Sequence, residues 1–297
     1  MKLVGLMPVR NEAWCLGFTL RVALKWCDQM VVLLHSCTDD SQRIVEQIAE
    51  EHPGRVVWWC NEDEQWLEME HRNKLLNIAR ELLATHVAII DADEFMTANL
   101  LPSEEERRLG SLHILDYLDA LPGGQLLELP GYNMRETPGM PLNMRYHANG
   151  VWGSRWFATA FQDSPVLNWQ GDRFHHREPF GCGWNRWRPV HQGYGGTIHL
   201  WGSSEKRLVE KHRLYKLTEA LRWPDKSFAD IDRLYNLAIY PREPWNYHQL
   251  PPTWIEPYAD LYQYLNIQEE PWQAEAVRSL LQTHGRERFK GLDLFGL

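Results

Sequence analysis

Residues 86–94 of the chain read His86-Val87-Ala88-Ile89-Ile90-Asp91-Ala92-Asp93-Glu94. The first five residues show no polar alternation, which is typical of a strand buried on both faces of a parallel sheet. Three carboxylates then follow within four residues. Because ligands of open α/β sheets bind beyond the carboxyl ends of the strands, this stretch predicts both a parallel sheet and a polar site at its edge.

The segments before residue 86 alternate between strand and helix patterns. Apolar runs predict strands at residues 2–7, 30–34 and 55–59. Helical spacing and capping residues predict helices at 13–26, from Thr38 or Asp39 to about Glu50, and at 65–83. Alternating β and α elements predict an α/β fold with a mixed sheet flanked by helices.

The pattern loosens from about Pro102. It predicts a helix near 111–120 and a strand near 125–129, and then a stretch rich in Gly, Pro, Trp, Arg and His that continues to Gly196. Such composition favours loops that build a pocket. Further helices are predicted from Ser203 or Ser204 to about Arg222 and near 228–239, 254–265 and 270–284. The C-terminal third is therefore predicted to be mainly helical.

Composition excludes several classes of protein. The 297 residues carry a formal charge of −9, which argues against a generally nucleic-acid-coating surface but allows a local basic patch. The five cysteines are odd in number and lack CxxC spacing, so neither a disulfide framework nor a zinc site is indicated and a reducing cytoplasm fits best. The apolar residues 1–7 are too few for a signal peptide or membrane span.

Two carboxylates spaced by one residue after a buried strand, Asp91 and Asp93, can both reach a hard divalent cation that also keeps phosphate oxygens as ligands. A bound Mn²⁺ or Mg²⁺ would stabilise the charge of a leaving diphosphate as a Lewis acid. Acidic residues at strand ends also occur in phosphate-loop enzymes, phospho-acceptor domains and helix caps.

Four blocks in order resemble the family 2-like glycosyltransferases of GT-A fold, in the Asp-Ala-Asp-Glu form of bacterial lipopolysaccharide-core and related sugar transferases. The blocks are residues 7–12 (Met-Pro-Val-Arg-Asn-Glu), 31–39 (Val-Val-Leu-Leu-His-Ser-Cys-Thr-Asp), Arg72-Asn73 and 89–95 (Ile-Ile-Asp-Ala-Asp-Glu-Phe). The resemblance covers the first hundred residues well and the rest loosely. It implies a nucleotide-diphosphate-sugar transferase with a Rossmann-like GT-A sheet.

The resemblance also implies domains and roles. Residues 1–222 would form the catalytic domain, with a nucleotide-sugar and metal half at 1–100 and an acceptor half at 101–222, and residues 223–297 a helical C-terminal extension. Asp93 would be the principal metal ligand, assisted by Asp91. The nucleotide contacts would come from Pro8, Arg10, Glu12, Thr38, Asp39 and Arg72, with Arg72 near the diphosphate and Thr38 and Asp39 flanking base and ribose.

One departure from the family pattern concerns recognition of the nucleobase. The family commonly has an acidic pair before its Ser-Thr-Asp segment, where this chain has Leu34 and His35. Uracil recognition is therefore less secure than metal binding, although a UDP-sugar is the first choice of donor.

His199, in a segment that resembles the family's late His before a helix, would be a further metal or phosphate contact. A lone His is more often a hydrogen-bonded structural residue. Arg207, Lys211 and Tyr215 follow at spacings of four, so they share one helix face that can neutralise a diphosphate or can be an ordinary solvated face.

An inverting transferase needs a general base, for which a carboxylate in a partly dry cleft is suited. The candidates are Asp163, Asp172 and Glu178. Asp172 is preferred because it lies among aromatic residues, in the region where the family usually places its base. The adjoining His175, His176 and Arg177 can position donor or acceptor, and a His pair beside Arg can equally be a hydrogen-bonded loop.

Arginine and aromatic residues alternate between Trp169 and His191, and they can grip sugars, lipid phosphates or unstacked bases. The acceptor can therefore be a carbohydrate, a lipid-linked sugar or modified DNA, and a transferase acting on hydroxymethylated bases is a second interpretation. A third is a non-catalytic nucleotide-sugar or carbohydrate-binding protein. A nucleotidyltransferase ranks lower, because no Gly-rich Lys/Arg phosphate loop follows the first strand.

Overall fold

A mixed sheet organises the N-terminal half of the molecule. The computed structural model describes residues 1–63, 65–101, 113–135, 145–148, 155–182, 186–240 and 244–297. The strands are β1 Leu3–Val9, β2 Gln29–His35, β3 Val56–Asn61, β4 His86–Ile89, β5 Glu94–Met96, β6 Leu126–Arg135, β7 Arg145–His147, β8 Arg155–Gln162, β9 Arg186–Trp187, β10 Thr197–His199 and β11 Tyr247–Gln249.

Seven α-helices are present in the described residues. They are α1 Ala13–Ala23, α2 Ser41–Glu51, α3 Glu68–Glu81, α4 Ile114–Asp119, α5 Glu205–Arg222, α6 Phe228–Tyr235 and α7 Gln273–His284. Short 3₁₀ helices lie at Ala98–Leu100, Leu200–Gly202, Asn236–Ala238, Pro252–Trp254, Glu256–Tyr264 and Arg286–Phe289.

The chain divides into two compact units. The first comprises Met1–Tyr132, Arg155–His199 and Pro251–Asn266, and the second comprises Asn133–Ser154, Leu200–Leu250 and Ile267–Leu297. The sequence resemblance implies a domain boundary at residue 222. The compact units are divided elsewhere, since α5 belongs to the second unit and Pro251–Asn266 to the first.

In the first unit four parallel strands lie in the order β4, β1, β2, β3, and the antiparallel β8 and then β6 continue the sheet beyond β4. All seven residues of β1 are buried, as expected for a strand covered on both faces. A core of aliphatic residues from these strands and from α3 fills one side, including Leu6, Leu33 and Leu76. The predicted α/β class is confirmed.

In the second unit α5, α6 and α7 pack around Leu217, Ile231 and Val277. Lys216 is fully buried and donates to Asp232 Oδ1 at 2.8 Å. Short antiparallel pairs join β7 to β11 and to the last residues of β6. The predicted helical character of the C-terminal third is confirmed, although the segment predicted as a helix at 254–265 is mostly a 3₁₀ helix.

Two expectations differ from the structure or lie outside it. The stretch interpreted as loops contains β8, an eight-residue strand between β4 and β6. The predicted helix at 111–120 is observed as α4, and its first two residues lie outside the described part. Within the described residues, no helix combines the length and apolarity needed to span a bilayer.

Candidate functional site

The loops that follow β1 and β2 are joined by Asn11. Its Oδ1 accepts the N–H groups of Thr38 at 2.7 Å and Asp39 at 3.3 Å. The Asp39 carboxylate accepts the N–H of Ala13 at 2.9 Å and of Ser41 at 3.0 Å. These amides begin α1 and α2, where a negative charge is favoured. The two residues expected to flank base and ribose therefore also hold the two loops together.

The other residues expected to line the nucleotide follow from β1. Pro8 is buried within the strand opposite Leu33. Arg10 is half-buried, and burial lowers its pKa. Glu12 accepts a hydrogen bond from Trp14 Nε1 at 2.5 Å. All three lie at the carboxyl edge of the parallel strands, as the sequence predicts.

Asp91 is held between two guanidinium groups. Arg72 Nη2 lies 3.1 Å from Asp91 Oδ1, and Arg177 Nη1 lies 2.8 Å from Asp91 Oδ2. Arg177 Nη1 also lies 2.6 Å from Glu94 Oε1, and Arg72 Nε donates to Glu68 Oε1 at 3.1 Å. Both carboxylate oxygens of Asp91 thus accept charged hydrogen bonds, which are stronger than neutral ones.

Burial and charge act in opposite directions on this network. Burial alone would raise the pKa of Asp91, but the positive charges of Arg177 and Arg72 outweigh it and lower the pKa. Burial raises the pKa of Glu94. Burial would lower the pKa of Arg177, yet Glu94 and Asp91 raise it. Asp91 and both arginines are therefore charged at neutral pH.

The backbone of the acidic stretch is anchored by α1. Thr19 Oγ1 donates to the carbonyl oxygen of Ala92 at 2.6 Å, and Cys15 Sγ donates to the same oxygen at 3.4 Å. The peptide between the two aspartates is thus fixed by a buried helix, which sets the directions of Asp91 and Asp93.

Asp93 is directed towards His199. His199 Nε2 lies 3.4 Å from Asp93 Oδ1. The register of β10 against β5 places His199 opposite Glu94. Gly196 leads into β10 at a φ of 153°, and a Cβ there would lie 1.9 Å from the carbonyl oxygen of Pro130, so only glycine allows this approach. Two of the predicted metal ligands are therefore brought together.

Asp172 lies in an exposed loop whose two ends are tied to α3. Asn73 Oδ1 accepts the N–H of Trp169 at 2.8 Å, and Asn73 Nδ2 donates to the carbonyl oxygen of Trp169 at 2.7 Å. At the other end Glu68 accepts the N–H groups of His175 at 2.8 Å and His176 at 3.2 Å. Because Glu68 also binds Arg72, the loop is coupled to the network around Asp91.

The other two candidate bases are held in ion pairs. Asp163 accepts two hydrogen bonds from Arg80, both at 2.9 Å, and its N–H donates to Thr85 just before β4. It therefore lies at the amino edge of the parallel strands, away from Asp91. Glu178 Oε2 lies 2.5 Å from Arg186 Nη2.

Arg207, Lys211 and Tyr215 lie on α5 in the second unit. Arg207 and Lys211 are buried, and Arg207 Nη2 donates to the carbonyl oxygen of Glu269 at 2.8 Å. Tyr215 packs against Tyr235 with ring centroids 5.7 Å apart. The face that they share is thus a packed face of the second unit.

The segment rich in aromatic and arginine residues is divided between core and surface. Trp169 is buried, and its Nε1 donates to the carbonyl oxygen of Arg177. Phe180 is exposed, and Arg188 stacks over Trp156 at 4.8 Å. Trp184, which belongs to the same pattern, lies outside the described residues.

Sequence reasoning missed Glu68 as a member of the site, and it did not predict that Glu94 and Arg177 form ion pairs there. Glu94 adjoins the aspartates, so its place in the acidic run was an available signal. Arg177 and Glu68 meet partners 86 and 107 residues away in the chain, which no local pattern indicates.

Comparison with known proteins gives structural neighbours only. No protein-family model and no curated protein matches the chain. Staphylococcus aureus TarS 1–349 with UDP-GlcNAc is 15% identical over 97% of this chain and 88% of that chain, with a TM-score of 0.45. HddC from Yersinia pseudotuberculosis is 11% identical over 69% of this chain and 96% of its own, with a TM-score of 0.37. Likeness at this level assigns neither activity nor ligand.

Proposed function

We propose that the chain is a family 2-like glycosyltransferase of GT-A fold, which transfers a sugar from a nucleotide-diphosphate sugar to an acceptor hydroxyl with inversion. A UDP-sugar is the proposed donor, and Mn²⁺ or Mg²⁺ the proposed cation. The observation that carries the proposal is the pairing of Asp93 with His199 at the carboxyl edge of the sheet, beside the buried Arg72 and the half-buried Arg177.

The residues present fit a divalent cation at Asp93 and His199. Their facing atoms are 3.4 Å apart, and an ion about 2.1 Å from each ligand atom can contact both. No cluster of three or more His, Cys, Asp or Glu side chains suited to a metal occurs in the described residues. Two protein ligands suffice when diphosphate oxygens and water complete the shell, as is usual for Mg²⁺.

Asp91 takes a different part in this proposal. Since both of its oxygens accept hydrogen bonds from guanidinium groups, we assign it to holding Arg72 and Arg177 in place rather than to direct ligation. The cation would supply Lewis-acid stabilisation of the departing diphosphate. Because Arg72 and Arg177 are paired with Glu68, Asp91 and Glu94, the cation is the group that would attract the diphosphate in this proposal.

We propose Asp172 as the general base that takes the proton of the acceptor hydroxyl. Asp163 and Glu178 are each held in an ion pair with an arginine, and Asp163 lies at the opposite edge. The ties from Asn73 and Glu68 fix both ends of the Asp172 loop against α3. The Asp172 side chain is exposed, so its assignment rests on the fixed ends of this loop and on the sequence resemblance, and not on a dry environment.

The remaining assignments rest on the sequence resemblance. They are the nucleotide contacts of Pro8, Arg10, Glu12, Thr38 and Asp39, the catalytic domain at 1–222 and a cytoplasmic location. The diphosphate contacts expected of Arg207, Lys211 and Tyr215 are left out of the proposal, because these side chains pack within the second unit. The proposal leaves the acceptor open among carbohydrate, lipid-linked and modified-DNA hydroxyls.

Hydrolysis of donor sugars tests the proposal. The wild-type protein should hydrolyse at least one nucleotide-diphosphate sugar slowly with Mn²⁺ and lose this activity with EDTA. Asp93→Asn should lower the metal-dependent rate by about 100-fold or more, because a ligand to the cation is lost. The exposed Asp260→Asn serves as the matched control. Binding of donor without any turnover would instead favour a non-catalytic binding protein.

A further inference from the structure

A row of three polar side chains, two buried histidines and a half-buried asparagine, lies where β2 and β3 end. His35 is the last residue of β2 and faces Asn61, the last residue of β3. Asn61 Nδ2 lies 3.3 Å from His35 Nδ1 and 3.0 Å from Nε2 of His71, which is on α3. His35 is 0% exposed and His71 is 5% exposed. The proposed site as described above uses none of these three residues.

The bonding of Asn61 fixes the tautomer of each imidazole. Asn61 Oδ1 accepts the N–H of Asp63 at 3.3 Å, which sets the orientation of the amide. The amide nitrogen can only donate, so His35 Nδ1 and His71 Nε2 are both acceptors. In a neutral imidazole the other nitrogen then carries the hydrogen. The donors are therefore His35 Nε2–H and His71 Nδ1–H.

Both rings are neutral at physiological pH. Burial, together with the neighbouring Arg10 and His71, lowers the pKa of His35 to about 4. The pKa of His71 is also lowered to about 4, chiefly by burial. The charges of Asp63 and Glu68 raise this pKa, and those of Lys74 and Arg10 lower it. The tautomers derived from Asn61 are therefore those present at pH 7.

The two N–H groups have no hydrogen-bond partner among the described residues. An unpaired buried donor costs free energy, so native proteins usually give such a group a partner. Neither donor is open to solvent, and a ligand must displace a covering side chain to reach them. Trp66 is half-buried and packs edge-on against both rings, with centroids 5.1 Å from His35 and 4.9 Å from His71.

We propose that His35 and His71 form a two-donor site that binds the carbonyl edge of the donor's nucleobase, with Trp66 turning aside to admit it. This inference rests on the proposed function. The C4 carbonyl oxygen of uracil or the C6 carbonyl oxygen of guanine has two lone pairs and can accept from both donors. At the corresponding positions cytosine (C4) and adenine (C6) carry an amino group, which would face the two N–H groups and leave them unpaired.

Calorimetric titration with UDP, GDP, CDP and ADP in the presence of Mn²⁺ tests the inference. UDP or GDP should bind about tenfold or more tightly than CDP and ADP, which is the effect of one mismatched buried hydrogen bond. His71→Phe keeps a ring but removes the donor, so it should lower the preference at least about threefold. His35→Phe is the second variant, and the exposed His284→Phe is the control.

The tautomers provide an independent readout. Long-range ¹H–¹⁵N spectra of histidine-labelled wild-type protein should show the hydrogen on Nδ1 of His71 and on Nε2 of His35. Equal affinity for all four nucleotides, or an unchanged preference in both variants, would overturn the inference while leaving the proposed transferase intact. Failure of every nucleotide to bind would overturn both.

Discussion

Arg177 is the residue on which the most contacts of the candidate site converge. Its guanidinium group bonds Asp91, Glu94 and the carbonyl oxygens of Ile89 and Ala158. It therefore connects the acidic stretch, the strand that precedes it and β8. A side chain that pairs with two carboxylates in a largely buried place is hard to replace, since Glu94 would lose its ion pair and Asp91 would keep only Arg72.

We expect Arg177→Gln to destabilise the protein by about 3 kcal/mol or more, because a buried ion pair loses one member. Urea unfolding followed by circular dichroism measures this change. Arg278→Gln, which removes an exposed pair with Glu275, is the matched control and should change the free energy of unfolding by no more than about 1 kcal/mol. Equal stabilities of the two variants would show that the network around Asp91 contributes little.

The sequence indicated Asp93 and His199 as residues of one site, and the structure places them side by side. It could not indicate that Asp91 is enclosed by Arg72 and Arg177, because that arrangement depends on a loop 86 residues away. A two-carboxylate pattern fixes the types of residue at a strand end. It does not determine which of the two carboxylates forms ion pairs with neighbouring arginines.

At the level of elements, α3 is the support of the candidate site. Glu68 and Asn73 tie it to the two ends of the Asp172 loop, and Arg72 between them reaches Asp91. Residues 68 and 72 are one helical turn apart, so Glu68 also orients Arg72 directly. One helix thus positions both the proposed base and the acidic stretch.

Glu68→Ala should release the C-terminal end of that loop, since the N–H groups of His175 and His176 lose their acceptor. Tryptic cleavage after the exposed Arg173 should then be about tenfold faster than in the wild type, as expected when local opening becomes easier. Peptide mass analysis of timed digests identifies the cut. Glu70→Ala, which alters an exposed glutamate on the same helix, should leave the rate unchanged. Unaltered cleavage in Glu68→Ala would mean that other contacts hold the loop.

The elements of the first hundred residues could be predicted because their apolar periodicity is regular. The strand β8 could not be predicted so readily, since it lies within a stretch rich in residues typical of loops. Its position in the sheet comes from antiparallel pairing with β4 and β6, which is a tertiary interaction. Whether this segment forms a strand therefore depends on pairing with strands far away in the chain, which the local sequence pattern does not show.

For the whole molecule, buried neutral histidines link stability to pH. The folded-state pKa is lowered to about 4 for His35 and His71 and to about 3 for His147, chiefly by burial. The unfolded chain takes up protons on these rings near pH 6.5, before the folded protein does. The contribution of these neutral histidines to the free energy of unfolding is therefore fully present above about pH 6.5, and it decreases as the pH falls towards about 4.

We expect the free energy of unfolding to decrease between pH 7 and pH 4.5, by up to about 1.4 kcal/mol per pH unit for each histidine that stays neutral when folded. Urea titrations at half-unit intervals measure the slope. His147→Phe should make it shallower, whereas the exposed His284→Phe should not alter it. A slope that is the same in all three proteins would contradict the assignment of neutral buried rings.

The central claim is that a cation bound by Asp93 and His199 joins the protein to a nucleotide diphosphate. The most direct measurement is the anomalous difference map of crystals grown with Mn²⁺ and UDP. We predict one manganese peak within bonding distance of Asp93 Oδ1, His199 Nε2 and a diphosphate oxygen. Bound UDP with no manganese at these two side chains, or manganese bound elsewhere, would contradict the account.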